Sequence, residues 1–148
     1  MISLWASWKS QIILNTSEYI IMKTTTCIID DDAIYRMIIV KMIKHIDSSV
    51  DVLECENGRS GMACLERLKN SFDKVVVLLD INMPVLDGWG FLDEMKTCSF
   101  YGLPQVVIYL VSSSTDESDI VKSKGYTNLK GFFHKPLTSE DIRAILST

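Results

Sequence analysis

The sequence predicts an α/β fold in which a five-stranded parallel sheet is covered by helices on both faces. From residue 23 onward, five short apolar segments alternate with five amphipathic ones, the pattern of repeated strand–helix units. The third apolar segment, Val75–Leu79, is continuous and rich in β-branched residues, as expected for a strand buried on both faces. The 148-residue chain is long enough for one such doubly wound domain, and no repeat or linker divides it.

The alternation begins with the strand TTCIID, residues 25–30. The next segment, residues 33–46, has the period of an amphipathic helix. Five of its apolar residues lie on roughly one helical stripe: Ile34, Met37, Ile38, Met42 and Ile46. The strand VDVLECE follows, and Asn57-Gly58 is a turn signal at its end. The segment SGMACLERLKN, residues 60–70, is predicted to form the second helix.

The second half of the chain continues the same pattern after the Val75–Leu79 strand. GWGFLDEMKT is predicted to form a helix that its internal glycine weakens, and QVVIYLV, after Pro104, is the fourth strand. DESDIVKSKG forms a helix that Gly125 can end, and GFFH is a short fifth strand. The last helix, SEDIRAILS, is short and takes Thr138 or Ser139 as its N-cap.

Residues 1–22 precede the pattern and show no clean period. Polar residues interrupt this segment too often for it to cross a bilayer, and it lacks the parts of a signal peptide. We expect either an extension ahead of a natural start at Met22 or an added helix that packs on the domain or on a second subunit. The domain itself is predicted to span residues 23–148, with no output module after it.

Composition excludes several classes of function. The net charge of −4 and the absence of a Lys/Arg run argue against nucleic acid as a direct partner. Four cysteines without a CxxC pair, together with two histidines, offer little basis for a zinc site. Buried free thiols are the simpler expectation, and they suit a reducing cytoplasm.

Reactive side chains follow four of the five predicted strands, at the sheet edge where ligands bind in open parallel sheets. These are the acidic triplet Asp30–Asp32, then Asp80, then the hydroxyl run Ser112–Thr115, and finally Lys135. Carboxylates that converge in one pocket repel each other and therefore need a cation or a raised pKa. Mg²⁺ suits carboxylates together with a carbonyl, which Asn82 could present from the loop after Asp80.

This arrangement favours phosphoryl transfer to an aspartate. Asp80 could form an aspartyl phosphate, while the cation, the Lys135 ammonium and the Ser112 hydroxyl hold the phosphoryl oxygens. Each feature alone also has an ordinary explanation: helix capping for the acidic triplet, and turn or loop formation for the Ser/Thr run and for Lys-Pro. It is their combination in this order that indicates chemistry.

Four motifs in order, CIIDDDAIYR, VVVLLDINMPVLDG, VVIYLVSSS and GFFHKPL, give the chain a close resemblance to the receiver domain of two-component response regulators. The resemblance covers residues 23–148. It implies a flavodoxin-like (βα)5 sheet in the strand order 2-1-3-4-5. It further implies a CheY-like stand-alone receiver that acts in phosphorelay signal transduction.

Carried over to this sequence, the family's pattern assigns the acceptor and the metal ligands. Asp80 would receive the phosphoryl group from a sensor histidine kinase or a phosphotransfer protein. Asp31 would bind Mg²⁺ directly, Asp30 through water, and Asn82 through its backbone carbonyl. Asp32 would only begin the first helix.

The same pattern assigns the switch residues. Ser112 matches the switch hydroxyl, with Ser113 or Ser114 as alternatives if the loop is shifted, and Phe132 matches the aromatic switch. Lys135 would contact the phosphoryl group, and its bond to the following proline resembles one that the family holds cis. The readout surface would be the face formed by helix four, strand five and helix five. The segment SKGYTNLKGFF within it is about one residue longer than the usual connection.

We therefore expect a cytoplasmic phospho-accepting signalling domain rather than an enzyme with a small-molecule substrate. It could dock on a downstream protein target, pass the phosphoryl group on in a relay or act as a sink for it, and it would not insert into a membrane. The sequence allows a homodimer through the readout face or through the Trp5/Trp8 extension.

Three other interpretations account for part of this pattern. One is a receiver-like interaction module that works without phosphorylation. A Mg²⁺-dependent phosphatase or hydrolase would usually carry a second aspartate where Asn82 stands, and a flavin-binding protein would need a phosphate-binding loop after the first strand.

Overall fold

The structure, a computed structural model, is built on a five-stranded parallel sheet and describes residues 12–15, 18–20, 23–69 and 74–148. The strands of this sheet are β3 (Thr24–Ile29), β4 (Asp51–Cys55), β5 (Lys74–Leu79), β6 (Val106–Ser112) and β7 (Leu129–His134). The helices between and after them are α1 (Ala33–Ile46), α2 (Gly58–Leu68), α3 (Gly88–Met95), α4 (Glu117–Ser123) and α5 (Ser139–Leu146).

The strand order is β4-β3-β5-β6-β7, with every pair parallel. Counted along the domain, this is the order 2-1-3-4-5, so the predicted fold is confirmed. A helix follows each strand because parallel neighbours must be joined by a crossover that returns the chain to the same edge.

Two apolar clusters lie on opposite faces of the sheet, and β5 supplies both of them. Val75, Val77 and Leu79 pack with residues of α2 and α3, whereas Val76 and Leu78 pack with residues of α1 and α5. Successive side chains of a strand point to opposite faces, so a strand covered on both sides must be apolar at every position. The continuous run in the sequence is the direct result.

Helix α1 buries a different face from the predicted stripe. Ile34, Met37 and Ile38 are exposed, whereas the fully buried residues are Ile39 and Ile43. Met42 and Ile46 of the stripe are partly buried beside them. This helix is apolar around most of its circumference, so its periodicity did not identify the side that faces the sheet.

The predicted turn at Asn57-Gly58 is instead the start of helix α2. The Asn57 side chain accepts a hydrogen bond from the Ser60 N–H at 2.9 Å, and the Ser60 hydroxyl accepts one from the Asn57 N–H at 3.2 Å. This reciprocal capping box satisfies backbone donors that a helix start leaves free. Thr138 caps α5 with a capping box of the same kind, so the N-cap is Thr138 and not Ser139, the alternative that the sequence allowed.

A β-bulge at Lys130 interrupts the pairing of β6 with β7. The register pairs Ile108 with Leu129 and Tyr109 with Gly131, which leaves Lys130 between them without a partner in the strand pairing. Because β7 is the last strand of the sheet, the extra residue disturbs only one ladder.

The described part of the N-terminal extension forms strands. Strands β1 (Ile12–Asn15) and β2 (Glu18–Ile20) pair antiparallel as a two-stranded sheet of their own. These residues are therefore not part of the added helix that the sequence allowed, and the rest of the extension, with Trp5 and Trp8, lies outside the described residues. Among the described helices, none combines the length and apolar character needed to cross a bilayer.

The four cysteines, Cys27, Cys55, Cys64 and Cys98, are free thiols, as predicted, and the first three of them are buried.

Gly88, the first residue of α3, lies close against the backbone that follows β5. A Cβ atom at this position would lie 2.4 Å from the Asp80 carbonyl oxygen and 2.9 Å from the Ile81 Cα. We predict that Gly88→Ala lowers the free energy of unfolding by about 2 kcal/mol, because backbone must shift to admit the methyl group. Urea denaturation measures the loss.

Gly131→Ala is the matched control, because its Cβ atom would meet the Tyr109 ring at an ordinary contact of 3.4 Å. We expect a change below about 1 kcal/mol for this variant. Equal stability of the two variants would contradict the close approach at Gly88.

Candidate functional site

Three charged residues stand one position beyond the strands that carry them, and backbone hydrogen bonds hold each in place. The N–H of Asp30, after β3, donates to the last carbonyl of β4, and the N–H of Asp80, after β5, donates to the last carbonyl of β3. The N–H of Lys135, after β7, donates to the last carbonyl of β6. All three distances are 2.9 Å. The sheet ladder thus continues one rung further to fix these residues at its carboxyl edge.

Asp30, Asp31 and Asp80 come together at this edge. Each offers one carboxylate oxygen, and the three oxygens lie within 4.8 Å of one another. Asp30 and Asp80 are 3% and 6% exposed, whereas Asp31 faces solvent. Oxygen donors this close suit a hard divalent cation that keeps part of its water shell, so the donor set fits Mg²⁺.

The Lys135 ammonium lies among these carboxylates. Its Nζ is 2.5 Å from Asp30 Oδ2 and 3.5 Å from Asp80 Oδ1. Burial by itself would lower the pKa of this lysine, but the hydrogen bond to Asp30 and the charges of both carboxylates outweigh it and raise the pKa. Lys135 is therefore a cation held at the site.

Asp80 has a perturbed pKa. Burial raises it from 3.8 to about 6, and the negative charge of Asp30 adds to the rise. The Lys135 ammonium and a 2.9 Å hydrogen bond from the Ile81 N–H to Asp80 Oδ1 act in the opposite direction. At neutral pH the carboxyl is still mostly ionised, and the Ile81 bond fixes its orientation.

Two residues at the start of α1, which the sequence motifs did not assign to the site, support the cluster. Arg36 donates from a terminal guanidinium nitrogen to the Asp30 carbonyl at 2.6 Å, and its Nε lies 3.2 Å from Glu54. The Tyr35 ring lies beside the Lys135 ammonium. The available signal was the presence of polar and aromatic residues within one turn of the acidic triplet. Asp32 caps α1, as expected, by accepting from the Ile34 and Tyr35 N–H groups.

The other residues predicted for the site, Ser112, Asn82 and Phe132, lie outside the side-chain contacts described above. Ser112 is the last residue of β6 and is fully buried, and its hydroxyl oxygen accepts the Ser114 N–H at 3.1 Å. Asn82 is exposed in the loop after β5. Phe132 is partly buried on β7, and its ring centroid is 5.3 Å from that of His134. The bond between Lys135 and Pro136 is cis, as the resemblance implied.

Comparison with known proteins shows which family this chain resembles. The family model described as the response regulator receiver domain matches residues 26–147. The chain is 33% identical over 133 residues to the sensor histidine kinase CheAY of Helicobacter pylori, an alignment that covers 88% of this chain and 15% of that protein. It is 28% identical over 118 residues to the nitrate/nitrite response regulator protein NarL of Escherichia coli, covering 80% of this chain and 50% of NarL.

Solved structures share the fold. A two-component response regulator from Cytophaga hutchinsonii superposes with a TM-score of 0.74 at 23% identity, covering 84% of this chain and 94% of that one. A CheY-like receiver domain protein from Methanospirillum hungatei gives a TM-score of 0.63 at 24% identity, covering 84% and 91%.

The pKa of Asp80 predicts a pH-dependent stability. The folded chain binds this proton more tightly than the unfolded chain, because the pKa is about 6 when folded and 3.8 ordinarily. The stability that this proton contributes to the folded chain is fully present below pH 3.8, the ordinary pKa, and is lost as the pH rises through about 6. The ionised carboxylate at neutral pH is thus about 3 kcal/mol less favourable than a neutral group in its place.

We therefore predict that Asp80→Asn, in EDTA, is more stable than wild type by on the order of 1–3 kcal/mol at pH 7.5. Urea denaturation at pH 5 should show that the difference in free energy of unfolding between Asp80→Asn and wild type is smaller by about 1 kcal/mol. Asp51→Asn, which changes an exposed aspartate of β4, should show no such narrowing. A constant difference between the two pH values would mean that Asp80 titrates near its ordinary pKa.

Proposed function

The chain belongs to the response regulator receiver family, and from this premise we propose that it accepts a phosphoryl group on Asp80 in two-component signal transduction. Receiver domains are signalling domains that interact with histidine kinases or phosphotransfer proteins and with downstream targets. We propose residues 23–148 as the receiver domain and the cytoplasm as its location. The readout surface is the face of α4, β7 and α5, where a homodimer or a target protein would dock.

One observation supports Asp80 as the acceptor above the other carboxylates. Asp80 is buried, its Oδ1 lies 3.5 Å from the Lys135 ammonium, and the Ile81 N–H donates to the same oxygen and fixes its orientation. Asp30 is bound closely to the same ammonium at 2.5 Å, and Asp31 is exposed. An ionised, oriented carboxylate next to a cation is what nucleophilic attack on a phosphoryl group requires.

The proposed transfer is a substitution at phosphorus. An Asp80 carboxylate oxygen forms a bond to phosphorus as the bond between phosphorus and the donor histidine nitrogen breaks. The nitrogen takes the electron pair of that bond, and Asp80 becomes a mixed carboxylic–phosphoric anhydride. Positioning and charge neutralisation provide most of the catalysis in such reactions.

The residues at the site divide the remaining roles between them. Asp31 would bind Mg²⁺ directly, Asp30 through water, and Asn82 by its backbone carbonyl; the bound ion supplies positive charge next to the transferred oxygens. Lys135 would contact the phosphoryl group from the other side. Asp30 would therefore exchange its contact with Lys135 for one with a water molecule on the metal.

Two further residues would convert the modification into a change of surface. The Ser112 hydroxyl would move to the phosphoryl group, and Phe132 would turn into the space that this movement opens. Ser112 and Phe132 lie on the neighbouring strands β6 and β7, and Phe132 lies two residues from the partner of Ser112 in the register. Phosphorylation would shift the population between two arrangements of the readout face.

The acceptor assignment is tested by intact-mass spectrometry after incubation with acetyl phosphate and Mg²⁺. We predict one added phosphoryl group on the wild type, lost under alkaline conditions because acyl phosphates hydrolyse, and acetate as the other product. Asp80→Asn should gain none, because an amide is not a nucleophile of this kind.

Asp51→Asn is the matched control and should be modified like the wild type, because Asp51 is exposed at the opposite end of β4. An adduct that persists in Asp80→Asn would identify a different acceptor. No adduct on the wild type would favour the interaction module that works without phosphorylation.

The metal assignment is tested by isothermal titration with Mg²⁺. We predict that Asp31→Asn weakens binding by about tenfold or more, because a directly coordinating carboxylate is lost. Asp32→Asn is the control, since it removes the same charge from the adjacent residue while asparagine still caps the helix. An equal loss in both variants would mean that only the overall charge of the segment matters.

A further inference from the structure

Tyr35 contacts the segment that carries Lys135 at two points. The Lys135 ammonium lies 4.4 Å from the centroid of the Tyr35 ring, within the range of a cation–π interaction. The Tyr35 hydroxyl oxygen accepts the Leu137 N–H at 3.4 Å, two residues further along the chain. Tyr35 is half-buried and packs beside the apolar cluster that contains Leu137, so its ring has a defined position.

The position of Tyr35 follows from the local structure of α1. Asp32 caps this helix by accepting the Tyr35 N–H at 3.0 Å, which sets the first turn directly after the acidic residues. The ring therefore starts from the same short segment as Asp30 and Asp31. It reaches Lys135, which is 100 residues away in the sequence, because β3 and β7 both end at the same edge of the sheet.

A bound cation would weaken the contacts of Lys135 with carboxylates but not its contact with the Tyr35 ring. Its shortest contact, 2.5 Å, is to Asp30, and its contact to Asp80 is 3.5 Å. A divalent cation at the carboxylate cluster would compete with the ammonium for Asp30 and repel it. The Tyr35 ring is neutral, so it offers the ammonium a contact that does not depend on the carboxylates.

We propose that Tyr35 is a positioning residue that keeps the Lys135 ammonium beside Asp80 when a divalent cation occupies the carboxylate cluster. This rests on the proposed function for its effect on phosphoryl transfer, although the contact itself does not. The ring face performs this role, and the longer bond from Leu137 contributes less. Tyr35 touches neither the reacting carboxylate nor the phosphoryl donor and acts through Lys135.

The first test observes the contact without any phosphoryl donor. Protons that lie over an aromatic face are shifted upfield, so the Lys135 side-chain signals of ¹³C-lysine-labelled protein, assigned by their loss in Lys135→Arg, report its position. We expect the upfield shift in the wild type to persist at saturating Mg²⁺ and to be absent in Tyr35→Leu. Loss of the shift when Mg²⁺ is added to the wild type would overturn the proposal.

The second test measures the rate of adduct formation with acetyl phosphate and Mg²⁺. We expect Tyr35→Leu to be about three- to tenfold slower than wild type, the factor that loss of one partly buried cation–π contact corresponds to. Tyr35→Phe keeps the ring and should stay within about twofold of wild type. A wild-type rate in Tyr35→Leu would overturn the proposal.

A double-mutant cycle with Lys135→Ala separates positioning from simple packing. If Tyr35 acts through Lys135, Tyr35→Leu produces no further slowing in the Lys135→Ala background. An equal slowing in both backgrounds would reduce Tyr35 to a packing residue and overturn the proposal. A wild type that shows the persistent ring shift but takes no phosphoryl group would instead disprove the proposed function and leave the positioning contact established.

Discussion

The structure depends on one electrostatic constraint, the convergence of three carboxylates, two of which contact a single ammonium. Two like charges about 4 Å apart repel by about 4 kcal/mol at the effective dielectric constant typical of protein sites. Asp30, Asp31 and Asp80 offer oxygens within 4.8 Å of one another, and Lys135 neutralises only one of the three charges. Burial, together with the negative charge of Asp30, raises the pKa of Asp80, so its ionised form is disfavoured at this edge. A site of this kind gains stability from added positive charge, which is the physical basis for expecting a metal ion there.

Such repulsion persists only where the backbone cannot relax to relieve it. Here the residues that bear the charges are held by the last rungs of the sheet ladder, and the loop after Asp80 is closed by a 2.8 Å hydrogen bond from the Gly88 N–H to the Ile81 carbonyl. Strands β3 and β5, which carry Asp30 and Asp80, are buried on both faces. Stability from the two apolar clusters therefore maintains an arrangement that the side chains alone would not adopt.

Strand β7 joins this charged edge to the face proposed as the readout surface. It carries Lys135 directly after its last residue, and Phe132 and Phe133 pack toward opposite faces of the sheet. The bulge at Lys130 preserves this alternation, because an extra residue without a bulge would exchange the two faces for every side chain on one side of it. The extra residue at Lys130 thus leaves the alternation of the side chains after it intact.

The sequence by itself determined the five strands of the main sheet, their parallel arrangement and the charged groups at their ends. Continuous apolar runs are required wherever a strand is covered on both faces, and the carboxyl ends of parallel strands must meet at one edge. The tertiary structure alone decided which face of α1 is buried and that Asn57 caps a helix. It also decided that Lys135 binds Asp30 more closely than Asp80, and that Tyr35 and Arg36 join the site. These outcomes depend on ångström-scale distances between residues up to 105 positions apart. Packing sets such distances, and no local pattern in the sequence encodes them.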